Sequence, residues 1–380
     1  MHVIVIGAGI AGLSTAYALL RRGAHVTVVE QEPQSFSHSS GRNAAIFRPL
    51  ETSPCIPKLA AQSRALLDEL FQGDAWLAPR GLLLVAAAEA SLKALAGIAA
   101  VEQLPCEALD ADALVHMVPE LENGRAQHGL WVSSAGVVDP HAIGTELERA
   151  SKALGGQLRL RTRALDLRRE GDRIVGVDLD GGALAADAVV LAAGAWSQEI
   201  AERARLPLAL TPIRRHLALL ENTPAMNPAQ PTVWDVELET YFRPESGAVL
   251  ASPCDETPWT AGVPPRDPAA LELLGARLSQ LAPALAEARV RTSWACLRTF
   301  AADRTLVVGP DPRAQGLCWV GGLGGFGMST GVALGALAAA RLAGDAPIWA
   351  DALLPERLTQ KGGATATSAG LDFGTEERLT

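Results

Sequence analysis

The N-terminal part of the chain alternates apolar runs with stretches of helical spacing. Residues 3–6 form a continuous apolar run, as expected of a parallel strand that is covered on both faces. Apolar residues then recur at helical spacing over residues 10–22, Gly23 ends that helix, and residues 25–30 favour a second strand. This order predicts a strand–helix–strand unit with a right-handed crossover, which is half of a doubly wound sheet.

The rest of the chain shows both strand and helix patterns. Strands are predicted at residues 82–85, 158–167, 174–179, 187–194, 217–220, 240–243, 248–250, 306–309 and 318–321, and helices at residues 89–100, 140–154 and 328–342. The apolar run 187–194 ends in glycine and is typical of a central parallel strand. The stretch 207–260 contains several prolines and short strand-like pieces, which favour an antiparallel sheet.

These elements predict an α/β fold with two interlocked domains. A Rossmann-like nucleotide-binding domain is expected to comprise residues 1–80, 140–206 and 296–360. An inserted substrate domain of α+β type, built on an antiparallel sheet, is expected at residues 81–139 and 207–295. Residues 361–380 are rich in Gly, Ala, Thr and Ser and are predicted to form a flexible tail.

Composition narrows the classes of function. The chain has 380 residues, 33 basic and 42 acidic side chains and a net charge of −9, without a long run of either sign. We therefore expect no nucleic-acid partner. The five cysteines are widely spaced and contain no Cys-x-x-Cys pair, so neither a disulfide framework nor a metal site is expected. With neither a leader nor a membrane-spanning segment recognised, we predict a cytoplasmic protein.

A nucleotide-binding fingerprint lies between the first strand and the first helix. In the pattern Gly7-x-Gly9-x-x-Gly12, the first glycine permits a tight turn, the second lets backbone amides approach a pyrophosphate, and the third lets helix and strand pack closely. Glu30 ends the second strand, where a carboxylate accepts hydrogen bonds from an adenosine ribose. This arrangement predicts a dinucleotide site, and the motif by itself leaves NAD open as an alternative to FAD.

Three later segments add a family resemblance. They are the polar loop 39–45 (Ser-Ser-Gly-Arg-Asn-Ala-Ala), the strand 187–194 followed by Ala-Trp-Ser, and the run 324–329 (Gly-Gly-Phe-Gly-Met-Ser). With them the chain resembles the D-amino acid oxidase superfamily over nearly its whole length, and within it the bacterial D-arginine dehydrogenase type. The resemblance implies that the nucleotide-binding domain binds FAD, which a single complete fingerprint supports.

The resemblance and the fingerprint together name the expected FAD-binding residues. These residues are Gly7, Gly9, Ile10, Ala11, Gly12, Glu30, Gln31, Ser39, Ser40, Arg42, Asn43, Ala44, Ala193, Gly194, Trp196, Gly324, Gly325, Phe326, Gly327, Met328 and Ser329. The run 324–329 opens a predicted helix, whose N-terminus is suited to negative charge on a reduced flavin.

The resemblance also implies the chemistry. Members of the superfamily oxidise the C–N bond of an amino acid by hydride transfer to flavin, and the resulting imine is hydrolysed to a keto acid and ammonia. Arg298, Arg215 and Tyr241 match the segments with which relatives bind the substrate carboxylate. Arginine suits this task because its planar guanidinium binds a carboxylate through two parallel hydrogen bonds.

The chain departs from the D-arginine type at the expected substrate pocket. Ile46 and Phe47 stand where that type has a His-Tyr pair, and Leu82 stands where it has a glutamate for the substrate guanidinium. We therefore predict a D-amino acid substrate with a neutral or apolar side chain. Arg48 is expected either to receive an acidic side chain or to be exposed to solvent.

Several alternatives stay open at this point. The enzyme could oxidise N-methyl or cyclic amines in the manner of sarcosine or glycine oxidase, or the chain could be a flavin-binding partner protein without amine oxidation. Cys296 in Cys-x-x-Thr could attach flavin covalently or be a buried, inert thiol. The electron acceptor is expected to be quinone-like or dioxygen, with a dehydrogenase favoured.

Overall fold

The computed structural model describes residues 1–221 and 226–359. The strands in these residues are β1 His2–Ile6, β2 His25–Val29, β3 Ile46–Phe47, β4 Leu77–Ala78, β5 Leu82–Ala86, β6 Glu107–Asp110, β7 His128–Val132, β8 Gly136–Val138, β9 Gln157–Arg159, β10 Ala164–Glu170, β11 Arg173–Leu179, β12 Gly182–Ala185, β13 Ala188–Leu191, β14 Leu210–Glu221, β15 Thr232–Asp235, β16 Thr240–Glu245, β17 Ala248–Ser252, β18 Thr257–Pro258, β19 Val290–Ala301, β20 Val307–Pro310 and β21 Leu317–Gly321.

Helices of two kinds connect these strands. The α-helices are α1 Ile10–Arg21, α2 Cys55–Phe71, α3 Lys93–Val101, α4 Ala111–Met117, α5 Pro140–Ala153, α6 Ser197–Arg203, α7 Pro268–Leu281, α8 Pro283–Ala286 and α9 Gly327–Ala343. Short 3-10 helices lie at Glu89–Leu92, Pro119–Leu121, Gly194–Trp196, Ile348–Leu353 and Pro355–Leu358.

A six-stranded, mostly parallel sheet organises the first layer. Its strand order is β20-β21-β13-β1-β2-β9, and only the β20–β21 pair is antiparallel. The alternate residues Val3 and Val5 of β1 enter one hydrophobic core with α1, α2, α5 and α9. Ile4 and Ile6 enter a second core with the three-stranded sheet β10-β11-β12. Because both faces of this sheet are buried, its strands consist of consecutive apolar residues instead of alternating apolar and polar ones.

The second layer is a nine-stranded sheet. Its order is β18-β14-β17-β16-β15-β5-β7-β6, and β19 pairs with β14 over most of their length. The predicted antiparallel sheet is present, with one exception: β5 and β15 run parallel. The α/β fold class is confirmed.

Two predicted elements differ from the structure. Residues 158–167 form two strands in different sheets, because the backbone turns at Arg161, whose φ is 52°, and the N–H groups of Arg161 and Thr162 donate to the carbonyls of Glu32 and Glu30. The helix predicted at 89–100 begins with a 3-10 turn, Glu89–Leu92. A domain boundary at residue 296 would cut β19, so the domain division stays a proposal. The predicted tail, 361–380, lies outside the described residues.

The lengths and hydropathy of the helices show whether any of them could cross a membrane. In the described ranges 1–221 and 226–359, no single helix combines the length and hydropathy needed to cross a membrane. The pair Gly327–Ala343 and Ile348–Leu358, bent by 105°, reaches both criteria only when the two segments are taken together.

Candidate active site

A cavity of about 1200 Å³ joins the two large sheets. From the parallel sheet, the glycine loop after β1 and the residues after β2 and β13 line it. From the nine-stranded sheet, side chains of β14, β15, β16 and β19 line it. The predicted nucleotide-binding and substrate-binding segments therefore meet in one space.

The glycine loop is shaped by close backbone contacts. Gly7 has a φ of 103°, and a Cβ there would lie 2.6 Å from the carbonyl oxygen of Ala192. A Cβ on Gly12 would lie 1.8 Å from the carbonyl oxygen of Gly7. A Cβ on Gly9 would lie 3.0 Å from Ser40 Oγ, which itself accepts a hydrogen bond from the Ile10 N–H at 3.0 Å. A side chain at Gly7 or Gly12 would force the loop open, so the sequence pattern has a direct steric cause.

Glu30 lies beside this loop at the carboxyl end of β2. Its Oε2 accepts a hydrogen bond from the Ala8 N–H at 2.7 Å, and its Oε1 accepts one from the Glu32 N–H at 3.0 Å. Glu30 and Gln31 both line the cavity, as do Gly9, Ile10 and Ala11 of the loop. The carboxylate is thus held at the position where the fingerprint places a ribose.

The polar loop 39–45 forms a second wall. Asn43 holds it together: its Nδ2 donates to the carbonyls of Ser39 and Ser40 at 3.1 and 2.7 Å, and its Oδ1 accepts from the Ala45 N–H at 2.6 Å. Ser39, Ser40, Asn43 and Ala44 line the cavity. Arg42, which was predicted to bind FAD, lies outside the lining, because its Nη2 donates to the carbonyl of Ala295 at 3.3 Å.

The third wall carries the second glycine run. Gly324 has a φ of 53°, and a Cβ there would lie 2.5 Å from the Phe300 ring. Helix α9 begins at Gly327, so the positive end of its dipole faces the cavity. The predicted residues that also line the cavity are Ala193, Gly194, Trp196, Gly325, Phe326 and Met328. Ser329 is not in the lining; its Oγ instead accepts a hydrogen bond from the Arg48 N–H at 2.8 Å.

Arg298 and Tyr241, which were predicted to bind the substrate carboxylate together as a clamp, both line the cavity. Arg298 is buried on β19 with Nη1 2.9 Å from Cys296 Sγ, and no carboxylate in the described part of the chain forms an ion pair with it. Tyr241 on β16 is buried and stacks on Trp234, with 4.7 Å between ring centroids. Burial raises the pKa of the Tyr241 phenol, although the positive charge of Arg298 acts against this rise. The cavity therefore offers an uncompensated guanidinium and a neutral phenol.

Arg215 lines the same cavity but is already engaged. Its guanidinium pairs with Glu256, which also accepts a hydrogen bond from Arg304 Nη1 at 2.8 Å. Hydrogen bonding from Arg304 and the charge of Arg215 lower the pKa of Glu256 to about 2. Of the two predicted arginines, Arg298 is the one whose charge the described carboxylates leave uncompensated.

The residues beside Arg215 are held in the same way. Arg214 Nη2 lies 2.6 Å from Asp267 Oδ2, and the His216 ring Nδ1 lies 2.7 Å from Asp255 Oδ2. Three consecutive residues of β14 thus each bind an acidic residue from the segment 255–267. This pattern indicates that Arg215 helps to fasten that segment over the cavity.

This network predicts a pH-dependent contribution to stability. Because the pKa of folded Glu256 is about 2, below its ordinary value of 4.5, its stabilising effect is fully present above pH 4.5 and is lost as the pH falls toward 2. Glu256→Gln is expected to lower Tm at pH 7, and the difference from wild type should shrink as the pH falls from 5 to 3. Thermal unfolding across this range measures it, and a difference that grows on acidification would contradict the assignment.

The four predicted substrate-pocket residues divide into two pairs. Ile46 and Arg48 line the cavity, whereas Phe47 and Leu82 do not. Successive side chains of a strand point to opposite faces, so Phe47 enters the core and contacts Trp76 edge-on at 5.4 Å. Leu82 is fully buried in an apolar cluster with Leu84. The prediction that Phe47 and Leu82 form the pocket is wrong.

Cys296 is also absent from the cavity lining. Its side chain is buried in the same apolar cluster as Tyr241, and its Sγ contacts two residues that do line the cavity, at the guanidinium of Arg298 and the carbonyl of Arg215. This placement favours the buried, inert thiol over a covalent link to flavin.

Comparison with known proteins identifies the family. The model of the FAD dependent oxidoreductase family matches residues 2–341, which is most of the chain. The chain belongs to this family. FAD is accordingly the cofactor, and the resemblance to the superfamily is confirmed.

Relatives of this FAD-dependent oxidoreductase include two types of enzyme. A glycine oxidase from Pseudomonas putida is 29% identical over 328 residues, covering 83% of this chain and 87% of the relative. A D-amino acid dehydrogenase from Cereibacter sphaeroides is 27% identical over 379 residues, covering 83% and 85%. The crystal structure of glycine oxidase from Geobacillus kaustophilus superposes with a TM-score of 0.78 at 25% identity, covering 91% of this chain and 95% of that one.

The oxidoreductase has a cavity that fits FAD. Gly7 and Gly12 close a backbone loop in which a Cβ would collide with carbonyl oxygens, so this wall is open to a pyrophosphate that must approach the backbone. Glu30 stands at the ribose position, and the Gly324–Gly325 run together with the N-terminus of α9 offers backbone to a flat ring. The residues present therefore match the group that the family implies.

Sequence reasoning missed one important residue of the oxidoreductase. Trp234 lines the cavity and is the direct register partner of Tyr241 across β15 and β16. The signal was the short β-prone run 232–235, which was not recognised as a strand. Pairing it with the predicted strand at 240–243 would have placed an aromatic side chain next to Tyr241.

Proposed function

We propose that this oxidoreductase oxidises the C–N bond of a small α-amino acid, with D-amino acids favoured, to an imine that water hydrolyses to a keto acid and ammonia. One observation carries the proposal: the buried guanidinium of Arg298 has no ion-pair partner among the described carboxylates, and it lies in the cavity that the glycine loops line. A buried, unpaired charge is costly, so a site that keeps one is suited to an anionic ligand.

The residues divide the work of this reaction between them. FAD, when bound, supplies the hydride acceptor. Arg298 binds the substrate carboxylate through its planar guanidinium, and the neutral phenol of Tyr241 donates a further hydrogen bond to it. Two fixed points on the carboxylate orient the Cα hydrogen, and orientation of this kind supplies much of the rate acceleration in reactions between bound groups.

The rest of the wall limits the side chain. Ile46, Leu217 and Trp234 offer apolar surface to a neutral side chain. The guanidinium of Arg298, which no described carboxylate pairs with, disfavours a cationic side chain, which would also lose its hydration in the cavity. The predicted preference for neutral over cationic substrates is therefore supported by the apolar wall and by Arg298, and no longer by Leu82.

A glycine- or sarcosine-oxidase reaction is the second candidate. It is supported by the glycine oxidases among the relatives and by a clamp that requires only a carboxylate beside the amine. The same Arg298 and Tyr241 would hold glycine or sarcosine. The two candidates differ in whether a Cα side chain improves the substrate.

Anaerobic titration tests both candidates. The purified holoenzyme is mixed with D-alanine, L-alanine, glycine, sarcosine, D-proline, D-arginine and D-lysine while the visible flavin band is recorded. We expect D-alanine to bleach the band faster than L-alanine, and D-arginine and D-lysine to bleach it slowest. Bleaching by glycine or sarcosine alone would select the second candidate. If no amine bleached the flavin, amine oxidation would be refuted and a flavin-binding partner protein would be favoured.

A further inference from the structure

Arg48 lies in the cavity in a rigid position. It follows β3, and its N–H donates to Ser329 Oγ at 2.8 Å. Its guanidinium carbon lies 4.3 Å from the ring centroid of Trp234 and 4.8 Å from that of Phe326. Two aromatic rings that contact one planar cation hold that cation in place, since guanidinium groups stack well on aromatic faces.

The hydrogen-bonding capacity of Arg48 is only partly used. A guanidinium has five N–H donors. Its Nη2 pairs with Glu51, whereas the buried Nε has no hydrogen-bond partner in the described part of the chain. Burial lowers the pKa of Arg48 to about 10, partly offset by the negative charge of Glu239, and the group is therefore still charged at neutral pH.

Arg48 and Arg298 both line the cavity, and each lies close to one member of an aromatic pair. Trp234 and Tyr241 are register partners on β15 and β16, and paired strands lie about 4.8 Å apart. Arg48 covers the Trp234 ring, and the charge of Arg298 acts on Tyr241. The cavity wall therefore carries two guanidinium groups, one associated with each ring of a stacked aromatic pair.

We propose that Arg48 forms a second anion subsite, which binds a carboxylate on the side chain or on the N-substituent of the amine substrate. The proposal rests on the proposed function and refines it: an amine with two carboxylates is a better substrate than its neutral counterpart. Glu51 occupies this subsite in the free enzyme, and the substrate carboxylate replaces it on Arg48. The Arg48 charge is thereby compensated both before and after binding, as a largely buried cation requires.

Equilibrium binding tests the subsite without turnover. Glutarate and pentanoate have the same number of carbons, carry two and one carboxylates, and contain no amine to oxidise. Each is titrated into the holoenzyme while the shift of the visible flavin band is followed. We expect glutarate to bind about 10-fold more tightly than pentanoate, because only glutarate has a second carboxylate that can replace Glu51 on Arg48. Equal affinities would overturn the proposal.

Three variants assign the effect to Arg48. Arg48→Met should remove the preference for glutarate, Arg48→Lys should keep part of it, and Glu51→Gln should strengthen glutarate binding by removing a competitor. Arg21→Met is the matched control, because Arg21 also lies over an aromatic ring, Tyr17, and pairs with a glutamate, Glu69, but outside the cavity lining. Glutarate preference that survives in Arg48→Met, or that falls in Arg21→Met, would contradict the assignment.

Turnover separates this proposal from the proposed function. D-Aspartate is compared with D-asparagine, and iminodiacetate with sarcosine. We expect kcat/KM to favour the dicarboxylate in at least one pair and Arg48→Met to reverse that order. If no amine reacts but glutarate is still preferred, the proposed function fails and the subsite stands. If amines react but neither glutarate nor any dicarboxylate is preferred, the subsite fails and the proposed function stands.

Discussion

Arg298→Met is expected to lower kcat/KM for every amino acid substrate by at least about 30-fold. The substitution keeps an apolar stem of similar length but removes the guanidinium that the described carboxylates leave unpaired. Removing one partner of a buried, hydrogen-bonded charge pair costs about 2–5 kcal/mol, or roughly 30- to 5000-fold in affinity. The loss should appear in KM through weaker binding and in kcat through poorer orientation of the Cα hydrogen.

Two further variants show whether the loss of kcat/KM arises from the interaction between Arg298 and the substrate carboxylate. Arg298→Lys keeps the charge without the planar pair of donors, so an intermediate loss is expected. Arg291→Met is the matched control, because Arg291 lies on the same strand with its side chain exposed to solvent. Steady-state kinetics with all three variants measures the effect, with flavin content as a check on folding. An Arg298→Met enzyme with unchanged KM would show that the substrate carboxylate binds elsewhere.

Arg298 and Arg215 illustrate what sequence motifs leave open. Both were predicted from motif position, and both line the cavity. Only the tertiary structure shows that Glu256 pairs with Arg215, because Glu256 approaches from a segment 41 residues further along the chain. Contacts between residues far apart in the sequence decide which of the two arginines lacks an ion-pair partner. A single sequence contains no signal for such contacts.

The success of the fold prediction has a comparable physical basis. β1, α1 and β2 were predicted nearly to the residue, because their apolar periodicity and glycines reflect local packing. The break at Arg161 was missed, because it is set by hydrogen bonds to the carbonyls of Glu30 and Glu32 in another segment. Phe47 and Leu82 were misplaced for a related reason: a motif match indicates a position along a strand, but not which face of the strand meets the cavity.

Gly12→Ala is expected to yield a protein that is destabilised by about 1–3 kcal/mol and purified largely without FAD. The added Cβ would lie 1.8 Å from the Gly7 carbonyl oxygen and 2.9 Å from its carbon. These are backbone atoms that cannot rotate away, so α1 must move off β1, at the usual cost of overpacking. The same movement displaces the amides of residues 9–11 from the pyrophosphate position, and the anion site at the helix N-terminus is lost.

Gly275 provides a control for the steric effect expected at Gly12. Gly275 lies inside α7, where an added Cβ has no atom within 4 Å, so Gly275→Ala should raise the free energy of unfolding by about 0.5–1 kcal/mol through helix propensity. The identical substitution thus has opposite expected signs at two helical positions. The ratio of flavin absorbance to protein, together with urea unfolding, measures both effects. Full FAD content and unchanged stability in Gly12→Ala would show that the helix can shift freely, and the steric account of the fingerprint would then be wrong.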